Sequence, residues 1–153
     1  MNSVKVQRTT LTCFKAYDVR GELGLNFDTQ IAYQIGRAVA QHFQAKDIVI
    51  GFDTRETSPE LAAAVMREIC DAGSNVISTG LAGTEEMYWA VTEFNACAGI
   101  EITASHNPIN YNGLKIVKSG SRPLDDQEDF QAIKLLAETA TWVENLPKGS
   151  IQD

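Results

Sequence analysis

The sequence predicts a three-layer α/β/α domain, in which helices cover both faces of a mixed, mostly parallel sheet. Short apolar segments of strand length alternate along the chain with amphipathic segments of helix length. Turns rich in Gly, Pro, Asn and Asp separate them. This alternation is typical of parallel β-α-β connections. Sheets of this type bind ligands beyond the carboxyl ends of their strands, so the loops at that edge are the first candidates for chemistry.

The first predicted helix precedes the first buried strand. Apolar residues recur at helical spacing from Ile31 to Phe43, and Asn26 and Asp28 are the two candidate N-caps. Residues 47–52, DIVIGF, then have the length and apolar character of a short buried strand. The chain therefore opens with a helix that leads into a strand.

The second predicted helix has clear signals at both ends. Pro59 suits the first helical position after Ser58, and Gly73 suits the far end. The spacing from Thr57 to Glu60 offers a competing capping box, so two start positions remain open.

A strand at 75–79 follows, and Thr84 is a candidate cap of a third helix. The apolar residues expected on the inner face of that helix are Met87, Ala90, Val91 and Phe94. Further strands are predicted at 97–103 and at 114–118. Strands and helices thus continue to alternate.

A last amphipathic helix is predicted at 125–139. Phe130, Ile133 and Ala137 are expected to face inward. From Trp142 the periodicity is lost, and the tail contains Pro147 and Gly149. We therefore expect one domain at 1–141 and a linker at 142–153 toward a second domain.

Composition argues against several classes of partner. The 13 Lys and Arg against 20 Asp and Glu give a net charge of -7, which is unfavourable for neutralising nucleic-acid phosphates. No segment approaches the roughly 20 apolar residues needed to span a bilayer, and the N-terminus lacks the apolar region of a signal peptide. Three widely spaced cysteines suit reduced thiols rather than disulfides or a zinc site. The protein is expected to be cytoplasmic.

The densest run of polar side chains, ITASHNPINYNGLK at 102–115, follows an apolar strand. Asn-Pro at 107–108 and Asn-Gly at 112–113 are turn dipeptides, so the chain is expected to fold back between two strands. A serine hydroxyl can carry a phosphoryl group, and Ser105 lies next to His106. Lys115 could bind phosphate oxygens or exchange a proton. On these residues alone, a polar turn without chemistry remains an open alternative.

Four segments resemble, in order, the motifs of the α-D-phosphohexomutase family. They are CFKAYDVRGELG at 13–24, GFDTR at 51–55, GTEEMYWA at 83–90, and TASHNP followed by YNGLK at 103–115. Together they are most similar to the bacterial phosphomannomutase branch. The resemblance covers about residues 11–138 and implies the first domain of such an enzyme.

The resemblance implies a reaction. The family interconverts hexose 1-phosphate and hexose 6-phosphate through hexose 1,6-bisphosphate, and for this branch the sugar would be mannose, with glucose as a second substrate. Ser105 would be the phosphorylated residue. His106 and Lys115 would lie beside the transferring phosphate, with Lys115 a candidate acid or base. The product would feed GDP-mannose synthesis.

Other residues take their roles from the same resemblance. Tyr17 and Arg20 would flank the phosphate, Asn107 would help to bind it, and Arg55 would support the loop. A phosphoserine carries negative charge and needs cations nearby, and by that argument, apart from the resemblance, Lys118 and Arg122 would add positive charge. One departure is Asn110, where the family pattern has an acidic residue.

The resemblance also implies Mg²⁺, with the phosphate on Ser105 as one ligand. Three aspartates of a DGDxDR-type loop in a second domain would supply the others, and no such loop occurs in this sequence. The chain therefore resembles domain one alone, which would be inactive without domains two to four.

Alternatives remain at the level of the sequence. The chain could be a complete sugar-phosphate-binding module or a remnant without activity, and a surface left uncovered could form a homodimer. Asp18 with Arg20, and Asp53 with Arg55, have an alternative interpretation as structural ion pairs. His42 is expected to be a surface or packing histidine, and Trp89 a packing residue.

Overall fold

The structure is a computed structural model and describes residues 10–15, 18–104, 107–143 and 146–153. In these ranges seven strands and four α-helices follow one another in an α/β order. The predicted fold class and its three layers are confirmed. No helix in the same ranges is long and apolar enough to cross a membrane.

The sheet has the order β1-β5-β4-β2-β3-β7, with β6 on the outer side of β5. The strands are β1 (Val19–Glu22), β2 (Asp47–Phe52), β3 (Asn75–Leu81), β4 (Ala98–Ile102), β5 (Tyr111–Lys118), β6 (Arg122–Pro123) and β7 (Ile151–Gln152). Strands β4, β2, β3 and β7 pair in parallel, whereas β5 is antiparallel to β4, β1 and β6. Every described strand other than β5 therefore points the same way.

The helices lie on both faces of this sheet. They are α1 (Thr29–Phe43), α2 (Ser58–Asp71), α3 (Thr84–Glu93) and α4 (Gln131–Thr139), the last preceded by one π-helical turn at Asp126–Phe130. Ile48 and Ile50 pack into the larger core with α1, α2 and α4, whereas Val49 packs against α3. Because side chains alternate along a strand, β2 supplies both cores.

The helix starts agree with the sequence in one case and differ in another. Asp28 caps α1, because its Oδ1 accepts a hydrogen bond from the backbone of Ile31 at 2.8 Å. Thr84 was the wrong cap: α3 begins after Gly83, whose N–H donates to Oε1 of Glu86 at 3.0 Å. Phe94 follows the end of α3 and is 51% exposed, so its predicted inward position was also wrong.

The competing capping box of α2 is not used. The hydroxyl of Thr57 accepts a hydrogen bond from the Asn112 side chain at 2.9 Å, and α2 begins at Ser58 with Pro59 in its first turn. Thr57 is nevertheless the N-cap position, as the competing box predicted, although its side chain makes no capping hydrogen bond. Pro59 is therefore the second helical residue, and its prediction as the first was wrong by one position.

The polar run returns antiparallel to β4, as predicted, but β5 begins earlier than expected, at Tyr111. The Asn112-Gly113 pair thus lies inside a strand rather than in a turn. A Cβ atom on Gly113 would lie 2.0 Å from the backbone oxygen of Val19. Glycine is required there because β1, which the sequence pattern did not predict, approaches β5 so closely.

The described part of the tail lies against the domain. Ile151 pairs with Val76 of β3, and the N–H of Gly149 donates to the Cys70 carbonyl at 2.9 Å. A Cβ atom on Gly149 would lie 1.8 Å from the oxygen of Ser74. The tail therefore packs on the sheet edge as far as Gln152, which its lack of periodicity did not predict.

Candidate functional site

Two loops meet at the carboxyl ends of β2 and β4. The N–H of Asp53 donates to the carbonyl of Ile102 at 3.1 Å, and the N–H of Thr103 donates to the carbonyl of Gly113 at 2.9 Å. The loop that follows β2 and the loop that follows β4 are thereby joined to each other and to β5. This is the edge at which the sequence predicted the site.

Three predicted site residues, Ser105, His106 and Tyr17, lie outside the described residues. The chain on both sides of 105–106 is described, and it is tied together by Asn107. Its backbone N–H and its side-chain Nδ2 both donate to the carbonyl of Ala104, at 3.0 and 2.9 Å. Asn107 thus joins the two described segments that flank the predicted phosphoserine position.

Arg55 holds the turn at 107–111. Its Nη2 donates to the carbonyl of Asn107 at 2.5 Å, and its Nη1 donates to the carbonyls of Pro108 and Tyr111 at 2.7 and 3.0 Å. Three carbonyl groups of one turn therefore share one guanidinium. Hydrogen bonds from a charged donor are among the stronger ones, so this contact fixes the turn from outside its own sequence.

Asp53 orients Arg55. Its Oδ1 accepts from the backbone N–H of Arg55 at 3.0 Å and from the hydroxyl of Ser58 at 2.5 Å, and its Oδ2 lies 3.8 Å from Arg55 Nε. The expected structural ion pair is therefore present. It also anchors the N-terminus of α2 to the loop contact of Arg55.

Asn112 is a link that sequence reasoning missed. It is fully buried, and its Nδ2 donates to the hydroxyls of Thr57 and Ser58 at 2.9 and 3.0 Å. Its Oδ1 accepts from the N–H of Gly113 at 2.9 Å. The only signal in the sequence was an Asn-Gly pair, which is more typical of a turn.

Arg20 lies on β1 and pairs in register with Gly113, so it shares a face of the sheet with Lys115 two residues further along. Its Nη2 donates to Asp18 at 2.6 Å, as the ion-pair interpretation predicts. Its Nη1 is buried and has no partner within the described ranges. One end of the guanidinium is therefore available to an anionic group.

Lys115 lies on β5, where it lines a cavity of about 310 Å³ together with Asp18, Tyr88 and Ser121. Because Asp18 also binds Arg20, the structure brings Arg20 and Lys115 to one region. The two other cations expected there are engaged elsewhere. Lys118 binds Asp129 at 3.0 Å, and Arg122 folds back onto Ser119.

His42 and Trp89 lie apart from this region. His42 Nε2 lies 2.9 Å from Oδ1 of Asp129, so this histidine makes a polar contact with a buried carboxylate, not only a packing contact. Trp89 is 61% exposed, against the packing role predicted for it, and contacts Phe94 edge-on with ring centroids 6.1 Å apart.

In the described ranges, no group of three or more His, Cys, Asp or Glu side chains is placed to hold a metal ion. Cys13, Cys70 and Cys97 are free thiols. Burial raises the pKa of the Cys13 thiol to about 11, so it is a poor metal ligand at neutral pH.

Comparison with known proteins gives a family. Residues 11–143 match the family model described as phosphoglucomutase/phosphomannomutase, alpha/beta/alpha domain I. A phosphomannomutase of Klebsiella pneumoniae is 48% identical over 130 residues, covering 85% of this chain and 83% of that protein. A phosphomannomutase of Vibrio cholerae is 45% identical over 145 residues, covering 92% of this chain but 31% of that protein.

A solved structure agrees with this match. The crystal structure of a phosphoglucomutase/phosphomannomutase family protein from Burkholderia thailandensis superimposes with a TM-score of 0.80 at 30% identity. The match covers 92% of this chain and 32% of that one. The chain therefore spans about a third of the length of the Vibrio and Burkholderia relatives. It belongs to the phosphoglucomutase/phosphomannomutase family, in which it corresponds to the α/β/α domain I.

Proposed function

We propose that this chain is the phosphoserine domain of a phosphomannomutase, which interconverts mannose 1-phosphate and mannose 6-phosphate through hexose 1,6-bisphosphate. Relatives 44–48% identical to it carry the name phosphomannomutase. The observation that carries the proposal is the convergence of Arg20 and Lys115 beside a turn that Arg55 holds and that Asn107 ties to Ala104. In this proposal Ser105, which precedes Asn107 by two residues in the sequence, is the phosphoryl carrier.

The chemistry of a phosphoserine matches these surroundings. A phosphoserine carries about -1.5 to -2 charges and three acceptor oxygens, and so needs fixed donors. Arg20 Nη1 is a buried donor without a partner in the described ranges, and Lys115 supplies a second positive charge. His106 and Tyr17 are proposed to complete the set. Positioning and charge stabilisation dominate phosphoryl transfer, so a rigid turn with two cations supplies what this domain must contribute.

In the proposed step, a sugar hydroxyl oxygen bonds to phosphorus while the bond from phosphorus to Ser105 Oγ breaks. Lys115, the proposed acid and base, donates an ammonium proton to the leaving Ser105 Oγ and takes up the proton of the sugar hydroxyl, and in the reverse transfer the two protons move the other way. Mg²⁺ would neutralise charge on the transferring group, with the phosphate of Ser105 as its one ligand from this chain. The remaining ligands, and recognition of mannose over the alternative glucose, are assigned to domains two to four of a longer parent enzyme, reached through the tail at 142–153.

A second candidate is a short sugar-phosphate-binding protein that acts without further domains. The Klebsiella relative favours it, since the matched region covers 83% of that protein. The two candidates predict different native sizes. An antibody to this chain should detect in source cells either a polypeptide about three times longer or one of this length.

Activity tests the role of Ser105. In the protein as the source cell makes it, Ser105→Ala should abolish formation of mannose 6-phosphate from mannose 1-phosphate, and peptide mapping should place the covalent phosphate on Ser105. Ser119→Ala is the matched control, and it should retain both the formation of mannose 6-phosphate and the covalent phosphate on Ser105. Full turnover by the Ser105→Ala protein, or phosphate on another residue, would contradict the proposal.

A further inference from the structure

Glu101 is an acidic side chain inside the sheet. It is the next-to-last residue of β4, between Ile100 and Ile102, and it is 0% exposed. Neither of its carboxyl oxygens has a hydrogen-bond partner in the part of the chain that the structure describes. An ionised carboxylate without a partner is costly to bury, so the neutral acid is the form that suits this position.

The fold makes room for this carboxyl group at one place. Glu101 pairs in parallel register with Gly51 of β2. A Cβ atom on Gly51 would lie 2.6 Å from Oε1 of Glu101 and 2.5 Å from the hydroxyl oxygen of Thr79. The carboxyl group therefore leans over Gly51, and a side chain there would displace it.

Three elements or their adjoining loops bring charged groups near Glu101. Asp53, which directly follows β2, and Glu86 of α3 are both acidic, while Lys115 is the register partner on β5. Strand β3 contributes the uncharged Thr79. Burial, followed by the charges of Asp53 and Glu86, raises the pKa of Glu101 to about 8. The surroundings thus disfavour a second anion beside Asp53.

We propose that Glu101 is a positioning residue for the 107–111 turn: it stays protonated, so that Asp53 remains the single anion that orients Arg55. Asp53 receives hydrogen bonds from Ser58 and from the backbone of Arg55, whereas Glu101 is fully buried and receives none in the described ranges. Burial without a hydrogen bond to the carboxylate favours the neutral form of Glu101. Any effect of Glu101 on phosphoryl transfer rests on the proposed function of Ser105. The effect of Glu101 on the geometry of the 107–111 turn does not.

Loss of the Glu101 proton would add a second negative charge near Asp53, which follows Gly51, the register partner of Glu101, by two residues. The new charge must be solvated, either by water entering at the ends of β2 and β4 or by the guanidinium of Arg55, which already lies 3.8 Å from Asp53. Both responses disturb the bonds that Arg55 makes to the carbonyls of Asn107 and Tyr111. The turn should therefore change as Glu101 titrates.

An NMR titration of the chain labelled with ¹³C and ¹⁵N tests this coupling. Between pH 5 and pH 10 we expect the side-chain carboxyl carbon of Glu101 and the amides of Asn107 and Tyr111 to shift with one midpoint near 8. In Glu101→Gln, a neutral isostere, the amide shifts should no longer follow pH with that midpoint. Glu93→Gln, which removes an exposed carboxylate at the end of α3, should leave them as in the wild type.

A midpoint below 6 for Glu101, or amide shifts that keep their midpoint in Glu101→Gln, would overturn the proposal. The midpoint of Glu101 is measured on the wild type, so it tests the proposal even if Glu101→Gln does not fold. The experiment measures no turnover, so its failure is distinct from failure of the phosphomannomutase assay with Ser105→Ala.

Discussion

The Nη2 atom of Arg55 lies 2.5 Å from the backbone oxygen of Asn107, although the two residues are 52 positions apart in the chain. This bond crosses from the loop after β2 to the loop after β4. The geometry of the turn therefore depends on a side chain from another segment. It also means that the turn can be loosened without changing any of its own residues.

Replacing Arg55 by Lys should loosen the turn. Lysine keeps the charge but presents a single ammonium group, so it cannot bind three carbonyls in the same fork geometry. Amide exchange at Tyr111, which donates to the Pro108 carbonyl, should accelerate about 10-fold. The free energy of unfolding should fall by about 1 to 2 kcal/mol. Arg122→Lys is the control, and equal exchange in the two variants would show that Arg55 does not hold the turn.

The stability of the protein should carry a pH dependence due to Glu101. Its pKa rises from the usual 4.5 to about 8 on folding, so between these values the folded state holds a proton that the unfolded chain has released. Stability is unaffected by this group below pH 4.5 and falls as the pH rises to 8, by roughly 3 kcal/mol at pH 7.

Urea denaturation across this range measures the effect. The unfolding free energy of Glu101→Gln should rise relative to the wild type from pH 5 to pH 8, because glutamine binds no proton in either state. A difference that stays flat over this range would show that Glu101 is already ionised in the folded protein. Glu93→Gln serves as the surface control.

Asp129 should give the folding stability a pH dependence opposite to that of Glu101. Burial alone raises its pKa, but hydrogen bonds from His42, the backbone of Asp125 and Lys118 outweigh burial and lower it. Its stabilisation is present above the usual pKa of 3.8 and is lost as the pH falls through the lowered value. The free energy of unfolding of Asp129→Asn should therefore be about 2 kcal/mol lower than that of the wild type at pH 7. The difference in unfolding free energy between Asp129→Asn and the wild type should become smaller at acidic pH. Asp126→Asn, at an exposed neighbouring position, is the control. An equal loss of unfolding free energy in that variant would show that the buried contacts of Asp129 are not the cause.

Gly113→Ala should separate β1 from β5. The added methyl group would collide with the backbone oxygen of Val19, which cannot move without breaking the pairing that carries Arg20. We expect thermal unfolding to show a free energy of unfolding about 3 kcal/mol lower than that of the wild type. Gly83→Ala is the control, because a Cβ there meets only ordinary contacts, and it should cost about 1 kcal/mol or less. Similar losses in both variants would mean that the approach of β1 does not require glycine.

The helices and central strands were predictable because their signals are local. Apolar spacing located α1, and the carboxylate of Asp28 performs the capping that its position suggested. The cap of α3 was missed because Glu86 bonds back to the N–H of Gly83, so the cap position itself needs no polar side chain. Phe94 was misplaced because helical spacing was extended one residue past the end of the helix.

The elements that could not be predicted depend on distant partners. β1 has a polar sequence, VRGE, and becomes a strand only because β5 pairs with it. β7 has two residues, too few for any periodicity. The family resemblance suggested that Arg55 supports the loop, but the three carbonyls that it contacts come from backbone geometry that no motif encodes. Glu101 interrupts an apolar strand, and only the room above Gly51 indicates why.

The pairing of β1 with β5 has a consequence for synthesis of the chain. Val19 meets Leu114, so β1 must wait for a partner that the ribosome makes 95 residues later (114 − 19). At 5 to 20 residues per second, that delay is about 5 to 20 s. Through this interval the segment that carries Arg20 leaves the exit tunnel with its partner strand still unmade. The region beside the predicted phosphoserine is thus among the last parts of the domain to assemble during translation.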